Sequence, residues 1–322
     1  MWLKWQPREI AKDLDALAKY GIKLLRVFPL WPDFQPIESL KGFYGTTRQI
    51  GTGRDSIPLN DENIACLDPV MLNRFSEFAD MARERGMKLI VGLLTGWMSG
   101  RLYAPHALNG LNLITSPVAL MWETRFVSAF VSMFKNHASI KAWDLGNECN
   151  CMGNASREEA WTWLALISST IKIVDPSRPI VSGMHGLAVE PQKPWSISDV
   201  SELTDIMTTH PYPLFTAHCA REPLNTMRAS LHAAAETKLY SDIAGKTAIV
   251  EEIGSLGDMI CDKHTEAAYA RTVLFSALSE DCRAFIWWCG FDLDRMTHPP
   301  YDWVALERSL GLFTSDRKPK PV

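Results

Sequence analysis

The sequence of 322 residues has no long block of like charge, no long apolar run and no repeated cysteine spacing. Its 33 basic and 37 acidic residues give a net charge of −4, and without a basic cluster we expect no nucleic-acid or anionic-membrane partner. No apolar stretch approaches the roughly 18 residues of a membrane span, and the first residues lack the apolar core of a signal peptide. These absences predict a soluble, cytoplasmic protein that acts on neutral small molecules.

Seven cysteines are an odd number without framework spacing, which favours free thiols in a reducing compartment. Cys149 and Cys151 form the most closely spaced pair. This pair lacks the second pair, or the histidines, that a zinc site needs. We therefore interpret the two as incidental thiols in a loop, and expect neither a metal nor a cofactor.

Strand and helix patterns alternate along the chain. Short apolar runs predict seven strands, at 22–28, 87–94, 140–148, 179–184, 205–209, 247–253 and 283–289. One helical pattern precedes them, at 7–20, and others lie between them, at 70–85, 116–134, 224–243, 265–279 and from a capping box at 156–159. Repeated βα units predict a parallel sheet covered by helices, in one α/β domain over 1–322 with the architecture of a (β/α)8 barrel.

The predicted strand count is one short of eight. A missing first strand should precede the helix at 7–20, where only six residues are available. The sequence also stops at Val322, where an eighth helix is expected. We therefore expect a barrel with an absent or abbreviated first strand and last helix, from a chain trimmed at both ends.

Two glutamates, Glu148 and Glu252, end predicted buried strands. In a parallel barrel, catalytic groups gather at the carboxyl ends of the strands. Two carboxylates there, one acid and one nucleophile, are what glycoside hydrolysis requires. The two-residue period of a strand places Glu148 on the side of Asp144, and turns Glu252 away from Glu251. Glu252 is therefore the better candidate of that pair.

Several motifs match one family, in the family's order along the chain. With the strands numbered as in a complete eight-stranded barrel, they are Arg26 on strand two, Asn147 and Glu148 after strand four, His210 and Tyr212 after strand six, Glu252 with Ile253 and Gly254 after strand seven, and Trp288 (rather than Trp287) after strand eight. On these residues the sequence resembles glycoside hydrolase family 5, a family of retaining (β/α)8-barrel glycosidases. One departure is the stretch Leu94 to Trp97, where many members have a histidine.

Within that family, the stretches 27–36, 92–101 and 209–215 resemble the β-mannosidase type, some of whose members cleave Manβ1-4GlcNAc. The resemblance implies a double displacement, with Glu252 as nucleophile and Glu148 as acid and base. Arg26 would keep Glu252 ionised, although a structural ion pair is the alternative for a strand-end arginine. Tyr212 would donate a hydrogen bond to the nucleophile, and Asn147 suits the sugar 2-hydroxyl.

The twelve tryptophans are also informative. Trp31, Trp97, Trp288 and Trp303 fall at or beyond predicted strand ends, where flat rings can stack on sugars. His210 is expected to bind substrate, whereas His106, His185 and His218 are open as subsite residues. An oligosaccharide is the expected partner, and the sequence does not indicate an oligomeric state.

Other functions fit parts of the pattern. An endo-β-1,4-glucanase or endo-β-1,4-mannanase would use the same two carboxylates. A long loop between Trp31 and Asp68 would favour a pocket and exo action if it walls off one side of the cleft. A non-catalytic carbohydrate-binding barrel, or an inactive truncated one, is the alternative of a different class.

Overall fold

The computed structural model describes residues 1–43, 46–54, 57–58, 60–293 and 298–322. The chain divides into two compact units. The first comprises Met1–Ile180 and Gln192–Trp195, and the second comprises Val181–Pro191 and Ser196–Val322.

The first unit contains a parallel sheet with helices between its strands. Its elements are α1 (Pro7–Lys19), β1 (Leu24–Val27), α2 (Trp31–Phe34), β2 (Ile37–Phe43), β3 (Thr46–Thr52), α3 (Pro69–Glu84), β4 (Lys88–Leu94), β5 (Trp97–Met98), β6 (Arg101–Leu102), α4 (Pro117–Phe134), β7 (Ile140–Gly146), α5 (Arg157–Val174) and the start of β8 (Ile180–Val181). The sheet order is β1-β4-β7-β8, and β4 pairs in parallel with both β1 and β7.

The helices begin where the sequence provides capping groups. The side chain of Asp68 accepts hydrogen bonds from the first turn of α3, and Ser156 forms a capping box with Glu159 at the start of α5. Phenylalanines at four-residue spacing on α4 face the core. The rings of Phe75 and Phe134 lie 4.8 Å apart, and Phe130 packs edge-on to Trp143 of β7. Helix and sheet are therefore joined by aromatic packing.

The segment between Trp31 and Asp68 was predicted as a loop, but β2 and β3 form an antiparallel hairpin within it. The pairing contains register shifts, and Gly51 lies opposite Ser39. An irregular strand pair with small residues lacks the clean alternation by which a strand is recognised. Residues 44–45, between these two strands in the sequence, lie outside the described residues.

The second unit contains a smaller parallel sheet. Its elements are the end of β8, α6 (Ile197–Leu203), β9 (Met207–Thr209), α7 (Met227–Ala244), β10 (Ala248–Ile253), α8 (Lys263–Ser279) and β11 (Phe285–Trp287). The order is β11-β10-β9, and Val181 forms a parallel bridge with Ile206. Val250 and Ile253 of β10 are fully buried beneath Tyr269 of α8. Helix α6 lies between the predicted strands 179–184 and 205–209, where the sequence pattern predicted no helix.

All seven predicted strands are present, each shorter than its apolar run. None of the helices in the described part of the chain is both long enough and apolar enough to cross a membrane.

Candidate active site

The backbone around Glu148 is set by the glycine two positions before it. Strand β7 ends at Gly146, where φ is +155° and a side chain would collide with the carbonyl oxygen of Leu94. The Asn147 N–H then donates to the same carbonyl at 2.9 Å. Only glycine fits at this close approach.

Glu148 itself is not part of the strand. Its φ of +49° and ψ of +41° are left-handed, and it caps the short 3-10 helix Cys149–Cys151. The alternation of side chains applies only to extended backbone, so the parity argument for Glu148 was wrong. A left-handed residue other than glycine costs on the order of 1 kcal/mol, and such residues are enriched at functional sites.

Asn147, beside Glu148, is held at both ends of its amide. Its Oδ1 accepts from Arg26 Nη1 at 3.0 Å, and its Nδ2 donates to the Trp97 carbonyl at 2.9 Å. Each amide end keeps capacity for a further hydrogen bond, since the nitrogen has two protons and the oxygen two lone pairs. The geometry is therefore compatible with the expected contact to a sugar hydroxyl.

Arg26 forms a buried ion pair with Asp144. Its Nε and Nη2 both lie 2.8 Å from Asp144 Oδ2, and the two side chains are 3% and 0% exposed. The guanidinium lies over the Phe28 ring at 4.8 Å, and a side chain on Gly92 would reach that ring at 2.6 Å. The alternative of a structural ion pair is thus realised, and the effect of Arg26 on Glu252 stays a prediction.

Sequence reasoning missed the role of Asp144. A signal was available, because a charged residue inside an apolar run is buried and must find a partner.

The structure separates the first two candidate tryptophans. Trp97 is half-buried on β5 next to Asn147, as a sugar-binding ring would need to be. Trp31 is fully buried against Phe126, and its Nε1 donates to Gln35 at 2.7 Å. A ring without exposed surface cannot stack on a sugar, so the assignment of Trp31 is corrected. The chain enters α2 at Trp31, which turns the ring into the core.

The two thiols after Glu148 are protonated at neutral pH. Cys149 is fully buried, and burial raises the pKa of its thiol well above the usual value. Burial first, and the nearby Glu148 charge second, raise the pKa of Cys151 to about 12. A thiolate is the form that binds zinc or acts as a nucleophile, so both side chains behave as neutral groups.

Glu252 lies on β10 in the second unit and is half-buried. The hydroxyl of Tyr212 donates to its Oε1 at 3.0 Å, and Tyr212 is itself only 4% exposed. A hydrogen bond to a carboxylate stabilises the ionised form. This is the contact that the family resemblance implies between this tyrosine and the nucleophile.

The neighbouring Glu251 has a different environment. Its side chain is fully buried, and its Oε2 lies 3.5 Å from Nε2 of His210, which is also fully buried. The opposite orientation of Glu251 and Glu252 follows from strand parity, as predicted. The described contact of His210 is with a buried carboxylate beside the candidate nucleophile, and a contact of His210 with substrate stays a prediction.

Trp287, the last residue of β11, and the following Trp288 have different surroundings. Trp288 packs in one cluster with Tyr212 and Leu310, and its Nε1 donates to Glu307 at 3.1 Å. Trp287 instead packs beside Tyr269 of α8. The cluster shared with Tyr212 supports the choice of Trp288. The remaining candidate, Trp303, is largely exposed.

Glu148 thus follows β7 beside the held amide of Asn147, and Glu252 lies on β10 against the Tyr212 hydroxyl. No family model matches the chain. Mannan endo-1,4-β-mannosidase F of Aspergillus fumigatus is 26% identical over 195 residues, which are 58% of this chain and 42% of that protein. Mannan endo-1,4-β-mannosidase A of Podospora anserina is 27% identical over 224 residues, 64% of this chain and 56% of that protein. The chain thus spans about half the length of these curated relatives.

Similar solved structures cover nearly all of the chain. The GH5_18 protein of Streptomyces cattleya, in complex with GlcNAc, has a TM-score of 0.83 at 22% identity, over 99% of this chain and 73% of that one. An exo-β-1,4-mannosidase of Opitutaceae bacterium strain TAV5 has a TM-score of 0.76 at 24% identity, over 100% of this chain and 55% of that one. The chain has the α/β-barrel fold of these enzymes, and its resemblance to β-mannosidase-like members of glycoside hydrolase family 5 is confirmed.

Proposed function

We propose that the chain is a retaining glycoside hydrolase of β-linked mannosides, with residues 1–322 as one catalytic domain. The observation that carries this proposal is the 3.0 Å hydrogen bond from Tyr212 to Glu252. A surface glutamate at a strand end has no need of a buried phenol aimed at its carboxylate. A nucleophile does, because the hydrogen bond fixes its orientation and keeps it ionised.

The mechanism is a double displacement. Glu252 attacks the anomeric carbon while protonated Glu148 donates its proton to the leaving oxygen, which gives a glycosyl ester on Glu252. Glu148 then takes a proton from water, which attacks the same carbon and releases Glu252. Asn147, held by Arg26 and the Trp97 carbonyl, would bind the 2-hydroxyl. The product keeps the β configuration because two inversions occur.

The substrate class is proposed from similar proteins. A variant of the Streptomyces cattleya GH5_18 protein was solved in complex with Manβ1-4GlcNAc, and it matches with a TM-score of 0.81 at 23% identity. Short mannosides of this kind are therefore our first choice. The curated relatives are endo-mannanases, which makes an endo-β-1,4-mannanase the second candidate.

We place the enzyme in the cytoplasm. All seven cysteines lie in the described part of the chain and each is a free thiol there. Free thiols are typical of reducing compartments. The proposed partner is a soluble oligosaccharide.

The first test is a substrate panel with the wild type and Glu252→Gln. We expect release of mannose from Manβ1-4GlcNAc or mannobiose, and a fall of at least about 10³-fold in kcat for the variant. NMR of the first-formed product should show the β anomer. Glu280→Gln, an exposed glutamate after α8, is the matched control and should keep wild-type activity. A first-formed α anomer would exclude the double displacement.

The same panel separates the alternatives. Internal cleavage of mannan, with oligosaccharide products, would favour the endo-mannanase. Turnover of β-glucosides alone would retain the mechanism and exclude the mannosidase. A well-folded wild type that binds mannobiose without turnover would favour a carbohydrate-binding protein.

A further inference from the structure

An exposed aromatic ring lies directly against Tyr212. Phe215 ends the short 3-10 helix Pro213–Phe215 and is 57% exposed. Its ring centroid is 5.7 Å from that of Tyr212, at an interplanar angle of 64°. A ligand that stacks on this ring would remove apolar surface from water, so an exposed ring beside a candidate nucleophile can contribute to binding.

The ring is fixed in place by its own turn. The N–H of Phe215 donates to the Tyr212 carbonyl at 3.1 Å, and the hydroxyl of Thr216 donates to the same carbonyl at 3.1 Å. The Thr216 hydroxyl also lies 3.0 Å from Nε2 of His232 on α7. A ring held this way loses little conformational freedom when it binds a ligand.

A histidine provides a polar edge to the same surface. His185, in the loop after β8, lies 6.2 Å from Phe215, with the two rings at 68°. The imidazole is half-buried and can donate or accept a hydrogen bond. An aromatic face bordered by a hydrogen-bonding group suits a pyranose ring, because the sugar has an apolar C–H face and polar hydroxyls at its rim.

The position of this surface indicates which sugar it would bind. Tyr212 contacts both groups, because its hydroxyl donates to the Glu252 carboxylate and its ring packs against Phe215. A sugar on Phe215 would then lie beside the sugar whose anomeric carbon meets Glu252. It is the neighbouring sugar, which in a disaccharide is the leaving group.

We propose that Phe215 is the stacking platform, and His185 the polar partner, for the sugar next to the one attacked by Glu252. This inference rests on the proposed hydrolysis of β-mannosides. It assigns specificity for a disaccharide to two residues that do no chemistry themselves.

The test compares substrates with and without a second sugar. Phe215→Ala should lower kcat/KM for mannobiose and Manβ1-4GlcNAc about three- to tenfold more than for β-mannosyl fluoride, whose leaving group has no ring. The loss should appear mainly in KM. Phe215→Tyr should restore the disaccharide preference because it retains the ring. His185→Ala should lower the same ratio by a smaller factor.

Phe275→Ala is the matched control, since Phe275 on α8 is 60% exposed in the same unit. It should leave the substrate ratio unchanged. An equal fall on all substrates for Phe215→Ala, or none, would overturn the platform while the hydrolase assignment stands. If the wild type turns over none of these substrates, the hydrolase assignment fails. In that case, titration with mannobiose, followed by NMR of the aromatic protons, tests the platform alone. Binding to the wild type that is lost in Phe215→Ala would support the platform. No binding to the wild type would overturn it.

Discussion

The two candidate catalytic glutamates are held by different means. Glu148, in the first unit, depends on backbone geometry, with Gly146 pressed against a neighbouring strand and a left-handed conformation at Glu148 itself. Glu252, in the second unit, lies within an ordinary strand and accepts a hydrogen bond from the Tyr212 hydroxyl. The first arrangement couples catalysis to the stability of the sheet. The second should let the proposed nucleophile be perturbed without disturbing the fold.

Buried ionisable groups also have different partners in the two units. The first unit pairs Arg26 with Asp144, and keeps Glu123 buried on α4 beside the Trp163 N–H at 2.8 Å. The second unit places His210 3.5 Å from buried Glu251. Substitutions at these positions should therefore separate effects on stability from effects on rate.

The largest expected effect is on the stability of the first unit. Asp144→Ala removes the carboxylate that accepts two N–H groups of buried Arg26. Breaking a buried pair costs about 3–5 kcal/mol, which urea unfolding would measure. Glu9→Ala removes an exposed pair with Lys12 and should cost less than about 1 kcal/mol. Equal losses of unfolding free energy in the two variants would show that the buried ion pair contributes no more to stability than the exposed one.

The next effect is a pH dependence from Glu123. Burial raises the pKa of this carboxyl from 4.5 to about 8. The folded protein then keeps a proton that the unfolded chain has released, so stability falls as pH rises from about 4.5 to about 8. The slope from one group is about 1.4 kcal/mol per pH unit. Urea unfolding between pH 6.5 and 8 should show this slope in the wild type and a flatter one in Glu123→Gln. Equal slopes of unfolding free energy against pH in the wild type and Glu123→Gln would contradict the raised pKa of Glu123.

A smaller effect tests the backbone around Glu148. Gly146→Ala forces β7 away from the Leu94 carbonyl and so displaces Glu148. A displacement near 1 Å can lower kcat on the order of 100-fold. Gly21→Ala, also at positive φ but with open space around its Cβ, is the matched control. It should cost about 1 kcal/mol of stability and leave kcat unchanged. Equal activity in the two variants would argue against the backbone role.

The smallest effect tests the nucleophile. Tyr212→Phe removes one hydrogen bond to a charged group, worth about 1.5–3 kcal/mol, so kcat/KM should fall about 10- to 100-fold without a loss of folding. Tyr269→Phe, a buried tyrosine of α8 in the same unit, is the control and should keep full activity. A Tyr212→Phe variant with wild-type rates would remove the main support for Glu252 as nucleophile.

Much of this arrangement could be predicted from the sequence. Apolar runs indicated β7 and β10, because a strand that is buried on both faces has apolar residues at nearly every position. The resemblance indicated the contact of Tyr212 with Glu252. The orientation of Trp31 could not be predicted, since it depends on where the chain turns into α2. The left-handed turn at Glu148 was hidden for a similar reason, because it follows from a close approach between strands that are distant in sequence.

The exposed surface at Phe215 was missed as well. A sequence pattern does not distinguish an exposed phenylalanine from a buried one, and only the fold shows which ring stays outside.

Two neutral thiols, one after Glu148 and one after Trp288, have a consequence for chemical labelling. Cys151, beside Glu148, and Cys289, next to Trp288, both have a pKa raised to about 12, chiefly by burial. Thiols in this state react poorly with electrophiles. A mannose-configured epoxide should therefore esterify Glu252 and spare both cysteines, and peptide mass spectrometry would locate the adduct. The enzyme would thus suit activity-based probes whose warheads select carboxylates, with no need to block its sulfur chemistry first.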